Sequence, residues 1–206
     1  MRSMRRSGTA ILVLALAPLP ACHLPTPMRA IDDPRLARVH DDYARAVGAL
    51  KASRDEDWYS GWMGNIWRNT WGGNRRGLCY EWQARTYEAV REVAPAEGFD
   101  AIGILRDRDR PSEHHGVLLI AHGAGTGPRL MEAPPPRAGW VLDPWRYGRA
   151  DVFTLDEWLG LPESWVGRIE FEDLEAEYQE RQNPTTESPE PEPLKVPSPA
   201  SNAAPS

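Results

Sequence analysis

The chain is 206 residues long, room for one ordinary domain with appendages, and its 24 basic and 30 acidic side chains give a formal charge of −6. Only two cysteines are present, Cys22 and Cys79, which excludes a disulfide framework and a four-cysteine zinc site. All nine tryptophans and all six tyrosines fall between Tyr43 and Tyr178, so the folded body is expected over residues 34–180, large enough to fold without staples. In chain order, the first segment reads as an export signal over residues 1–21. Arg2, Arg5 and Arg6 precede an uncharged, mostly apolar run at residues 8–19, which is too short to span a bilayer and closes on Ala21. Without that segment 21 basic and 30 acidic side chains remain, a charge of −9 that argues against a nucleic-acid partner.

The ending Leu19-Pro20-Ala21-Cys22 resembles the lipobox of bacterial lipoproteins. That resemblance implies cleavage before Cys22, lipid attachment to it, and a short tether over residues 22–33. His23 stands where enterobacterial lipoproteins carry an inner-membrane retention aspartate. The implied address is therefore the cell envelope, lipid-anchored at the outer membrane and facing the periplasm. A plain secreted protein and an uncleaved anchor are the other readings of the same segment.

Within the body, Leu36, Val39, Tyr43, Val47 and Leu50 recur at spacings of three and four and predict a helix with Pro34 in its first turn. Trp58, Trp62, Trp67 and Trp71 read as a packed helix or turn, with a substrate-facing aromatic wall as the alternative. A glycine-rich loop at 72–77 leads into an amphipathic segment at 78–94. There Cys79, Trp82, Gln83, Thr86, Val90 and Val93 share one face and Pro95 is the stop, so Cys79 is expected to open a helix. Residues 101–105, 116–121 and 139–142 have strand character, and their short, turn-rich connections favour an antiparallel meander. Residues 129–132 are a further candidate strand, paired across a hairpin turn at Gly123, Gly125 and Gly127. Helices return at 154–159, with Thr154 as cap and Glu157 at the third position, and at 170–180. Residues 181–206 hold seven prolines and no aromatic residue, the composition of a disordered tail. The expected class is α+β, helices packed on a small antiparallel sheet.

Three segments carry chemistry. In Gly77-Leu78-Cys79 a thiol at a helix start feels the positive end of the helix dipole, which lowers its pKa, and the preceding glycine leaves room for a substrate backbone. With Cys22 consumed by lipid, Cys79 is a solitary thiol in an oxidising compartment. In Glu113-His114-His115-Gly116, paired histidines head an apolar strand, from which an imidazole can take the thiol proton. Strand alternation points them to opposite faces, so joint ligation of one metal ion is disfavoured. In Trp140-Val141-Leu142-Asp143-Pro144 an acid ends the neighbouring strand, where it can orient that imidazole or simply begin a turn.

A glycine-preceded cysteine opening a helix, then His-Gly-Val on a strand, then Gly-Trp-Val-x-Asp-Pro, resembles the transglutaminase-like group of the papain-like cysteine enzymes over about residues 65–147. By that resemblance Cys79 is the nucleophile, His115 the general base and acid, and Asp143 the orienting acid, with His114 as a substitute for His115. The backbone N–H of Cys79 is one candidate oxyanion donor, and Trp71 and Asn74 are the side-chain candidates. The implied function is a cell-envelope cysteine peptidase, amidase or acyltransferase that attacks an amide of a protein or peptide substrate through a thioester and needs no cofactor. The alternatives are a catalytically inactive lipoprotein that keeps the fold for binding or assembly, and a tethered metal-binding protein using His114, His115 and His122.

Overall fold

The structure, a computed structural model, describes residues 29–61, 75–110, 112–125, 127–161 and 168–183. The export signal, most of the tether with Cys22, nearly all of the proline-rich tail, and Trp62, Trp67, Trp71 and Asn74 lie outside the described residues.

Helix α1 (Pro34–Ala52) starts where the sequence asks for it: the Asp33 side chain accepts the Arg35 N–H as the cap, and Pro34 occupies the first turn, where a missing N–H costs nothing. Its buried stripe is Leu36, Val39, Tyr43 and Val47. Two short strands, β1 (Asp57–Trp58) and β2 (Arg75–Arg76), pair in parallel and bring the chain to α2 (Cys79–Val90). The expected helix over 78–94 is divided at Arg91, and a one-turn helix α3 (Val93–Ala96) follows. The cause is Pro95, which has no N–H to donate to the Arg91 carbonyl and whose ring would clash with it in a continuous helix.

Five strands form one antiparallel sheet: β3 (Phe99–Arg106), β4 (His114–Ala121), β5 (Trp140–Leu142), β6 (Val152–Thr154) and β7 (Ile169–Glu172), in the spatial order β6-β5-β4-β3-β7. The meander β3-β4-β5 is the expected one. Residues 129–132 are not a strand: helix α4 (Gly127–Glu132) replaces the expected hairpin, with Pro128 near its start, where its fixed φ suits a helix. Helix α5 (Leu155–Leu159) has its Thr154–Glu157 capping box as anticipated. The expected helix at 170–180 is instead the edge strand β7 followed by α6 (Leu174–Gln182).

Alternation along the central strands divides the core in two. Val117, Leu119 and Leu142 pack with residues of α1, α2 and α6. Leu118, Ile120, Ile104 and Val141 pack on the other face with Leu130 of α4 and with Leu155 and Trp158 of α5. Helices therefore cover both faces, and β4, the middle strand, is buried from His114 through Ile120. Among the described residues no helix is long and apolar enough to cross a membrane.

Candidate functional site

The site forms where α2 begins, β4 begins and β5 ends. Gly77 makes the approach to α2 possible: its φ of +135° is open to glycine, and a Cβ there would lie 2.4 Å from the Tyr59 carbonyl oxygen. The close neighbour of Gly77 is thus the chain's own backbone, not the substrate backbone expected from the sequence. Leu78 is the N-cap and has no side-chain acceptor, so Glu81 reaches back and takes the N–H groups of Gly77 (2.8 Å) and Leu78 (3.0 Å).

Cys79, the first residue of α2, is buried, with 6% of its surface exposed. Its thiol donates to the Glu113 carbonyl (Sγ···O 3.7 Å), and the backbone N–H groups of His115 and Tyr80 donate to the sulfur. The sulfur therefore lies against the backbone on both sides of His114. The expected lowering of its pKa is reversed: burial pushes the thiol up to about 12, against the two N–H donors, and the charges of Asp143 and Glu113 push the same way. In the resting protein the sulfur is a thiol.

The two histidines part company as strand alternation requires. His115 points to the α2 face, where Nδ1 lies 3.2 Å from Gln83 Oε1 and 3.5 Å from Glu172 Oε2, and Nε2 lies 2.8 Å from Glu113 Oε1. Burial works against its charged form, but the Glu172 and Glu113 carboxylates outweigh it and hold the His115 pKa above the ordinary histidine value. His114 points the other way. Its Nε2 hydrogen-bonds Asp143 Oδ2 at 2.7 Å, and its ring lies between Trp158, stacked at 5.5 Å and 19°, and Trp145, tilted at 4.7 Å.

The expected pairing of His115 with Asp143 is therefore corrected: Asp143 holds His114. The reason is parity. Asp143 continues the face of Val141, with Leu118 and Trp158, whereas His115 shares the face of Val117. Asp143 is fully buried and fully engaged. Trp158 Nε1–H donates to Oδ2 at 2.9 Å and the Trp145 N–H donates to Oδ1 at 3.1 Å. Burial opposes its ionisation, but the adjoining His114 and the Trp158 N–H overcome this and hold its pKa below the ordinary carboxylate value.

One atom of this arrangement has no partner. His114 Nδ1 is buried and makes no hydrogen bond, although buried ring nitrogens are nearly always satisfied. With Nε2 held by Asp143, Nδ1 is the ring position of His114 left free to accept a proton, and Cys79 Sγ bonds the backbone carbonyl of the preceding residue, Glu113. Among the described residues there is no group of three or more His, Cys, Asp or Glu side chains placed to hold a metal ion. His122, at the far end of β4, faces Asp100 at 3.7 Å instead of joining the other two histidines.

Comparison with protein-family models, with curated proteins and with solved structures gave no match to this chain.

Trp158, Gln83, Glu113 and Glu172 were not singled out from the sequence. Trp158 had one available signal, because a buried indole N–H needs an acceptor and Asp143 is a buried acceptor on an adjoining segment. Glu172 had a short one, the alternation Ile169-Glu170-Phe171-Glu172, which merges into the expected helix at 170–180.

Proposed function

We propose that this chain is a cell-envelope cysteine enzyme of transglutaminase-like type, lipid-anchored through Cys22, that cleaves or transfers an amide of a protein or peptide substrate through a thioester. The observation that carries the reading is the His114 ring: Nε2 bonded to Asp143, Nδ1 buried and unpartnered, and Cys79 Sγ against the backbone on either side. Cys79 is the nucleophile and Asp143 the orienting acid, while His114 takes the role that the resemblance implies for His115.

In this mechanism Cys79 Sγ attacks the carbonyl carbon as its proton moves to His114 Nδ1. Because the resting sulfur is a thiol, the proton leaves as the S–C bond forms. Asp143 keeps the second ring nitrogen bonded and stabilises the imidazolium. The backbone N–H of Cys79 is the donor offered to the developing oxyanion. Collapse breaks the C–N bond, the imidazolium protonates the departing amine, and the acyl group remains on Cys79. Water, deprotonated by His114, then releases the acid, whereas an amine acceptor gives a new amide.

The test uses p-nitrophenyl acetate as an acyl probe. The reading expects a nitrophenolate burst approaching one equivalent and an acetyl group on Cys79 by mass spectrometry, both lost in Cys79→Ala and slowed at least about a hundredfold in His114→Ala. His115→Ala should retain most of the burst. Absence of acylation in the folded wild-type protein sinks the enzyme reading. The burial of Cys79 favours a second reading, a binding lipoprotein in which the thiol is a core residue, and that outcome would support it.

A further inference from the structure

The cluster around His115 is not used by this mechanism, yet it holds the segment whose backbone engages the thiol. The turn between β3 and β4 carries the Glu113 carbonyl that engages Cys79 Sγ. Its side chains are tied into a closed ring of charges. Arg108 Nη2 donates to Glu172 Oε1 at 2.8 Å and Nε donates to Glu170 Oε2 at 2.8 Å, fastening the turn to β7. Glu172 Oε2 faces His115 Nδ1, His115 Nε2 faces Glu113 Oε1, and Glu113 Oε2 accepts the Asp109 N–H at 2.6 Å, which returns the ring to the turn.

The same turn is strained. Asp107 and Asp109 sit at φ of +57° and +63°, which side chains with a Cβ adopt reluctantly, and the buried Asp107 carboxyl leaves Oδ1 without a partner. Within the turn the Arg110 N–H bonds the Asp107 carbonyl and the Glu113 N–H the Arg110 carbonyl; its described residues, 107–110 and 112–113, are tied to β7 by the Asp107 N–H on the Arg168 carbonyl and by the Arg108 ion pairs. Arg108 is 44% exposed, and the described residues 108–110 are exposed. A surface segment tied to the rest of the sheet by one backbone hydrogen bond and a few charged contacts is suited to opening apart from it.

We infer that the β3–β4 turn is a latch. The ring Arg108–Glu172–His115–Glu113 holds it closed over Cys79, and opening it gives a carbonyl substrate access to the thiol. This deepens the nucleophile reading and rests on it for its purpose, but the latch itself can be measured without catalysis.

The experiment is the rate of Cys79 alkylation by iodoacetamide at pH 7 in the wild-type protein and in Arg108→Gln, read by mass spectrometry, with near-UV circular dichroism to show that the variant is folded. Alkylation at least tenfold faster in the variant is expected, and a change below twofold in a folded variant overturns the latch. If Arg108→Gln does not fold, hydrogen exchange in the wild-type protein decides. The Arg110 and Glu113 amides, which bond within the turn, should exchange at least tenfold faster than those of Val117 through Ile120, and exchange of both sets in one slow phase overturns the proposal. A fast-alkylating variant whose wild-type parent shows no acylation by p-nitrophenyl acetate upholds the latch and removes the enzyme reading. Acylation of wild-type Cys79 with no effect of Arg108→Gln does the reverse.

Discussion

Replacing Asp143 by alanine removes the acceptor on which three donors converge: His114 Nε2–H, Trp158 Nε1–H and the Trp145 N–H. All lie in the interior, with Asp143 fully buried and His114 only 2% exposed, so water cannot replace the lost acceptor without a cavity opening. A hydrogen bond to a charged group contributes about 1.5–3 kcal/mol, and removing one member of a buried charged pair costs about 3–5 kcal/mol because its partners are left unsatisfied. The donors share one carboxylate, so the costs do not add, and the expected loss is about 3–5 kcal/mol. For a body near 150 residues that is a fall in Tm of about 9–15 °C. Chemical denaturation should give the same loss with an unchanged slope. The acid limb supplies a second check. The Asp143 pKa is lowered from 3.8 in the folded state, so its stabilisation is present above that value and is lost as pH falls through the folded value. Wild type and Asp143→Ala should therefore differ most at neutral pH and converge under acid. A loss below about 1 kcal/mol at pH 7 would refute the assignment of Asp143 as the common acceptor.

Two further outcomes test the surroundings. Gly77→Ala places a Cβ 2.4 Å from the Tyr59 carbonyl oxygen at a φ of +135°, and because the obstacle is backbone it cannot swing aside; a loss of at least about 2 kcal/mol is expected in urea unfolding. The His115 cluster should show itself in the pH dependence of the stability difference between wild type and His115→Gln. The folded His115 pKa lies above 6.5, so its contribution is full below 6.5 and is lost as pH rises through the folded value. Those of Glu113 and Glu172 are lowered from 4.5, so their contributions are lost as pH falls through the folded values. The difference should peak between 4.5 and 6.5, and a flat profile by thermal melts across pH 4–9 would exclude a charged cluster.

Local chemistry made much of this molecule legible. Pro34 with Asp33, Thr154 with Glu157, and the stripe from Leu36 to Val47 all act within a few residues, and each element lies where the sequence places it. The failures depend on contacts made far along the chain. Residues 169–172, Ile-Glu-Phe-Glu, alternate for only four residues before a helical run, and their pairing with the outer edge of β3 at Gly103 to Arg106 makes them strand. The expected pairing of Asp143 is displaced by a single residue, from His115 to His114. His-Gly-Val drew attention to His115, but register decides the partner: Val117 stands opposite Leu142 and shares its face, which puts Asp143 on the alternate face with His114. Adjacent histidines are chemically equivalent in a sequence, and only the pairing of β4 with β5 separates them.

The thiol pKa was misjudged for a related reason, and it yields the sharpest test of function. A helix start lowers a thiol pKa only while the sulfur remains solvated, and at Cys79 burial raises it from 9.0 to about 12. At neutral pH the thiolate fraction falls about a thousandfold below that of an unperturbed thiol. Iodoacetamide, which draws on preformed thiolate, should therefore modify Cys79 at least about a thousandfold more slowly than it modifies a small thiol. Under the proposed mechanism an acyl donor is different in kind, because its carbonyl would be attacked while His114 Nδ1 removes the proton, with no free thiolate required. If Cys79 and His114 work as a pair, p-nitrophenyl acetate should lose far less than iodoacetamide does when each rate is divided by that of the small thiol, and His114→Ala should abolish the disparity. An inert core cysteine slows both reagents in the same proportion, with or without His114. Equal slowing would leave Asp143, His114 and Trp158 as a structural polar network and remove catalysis from the account.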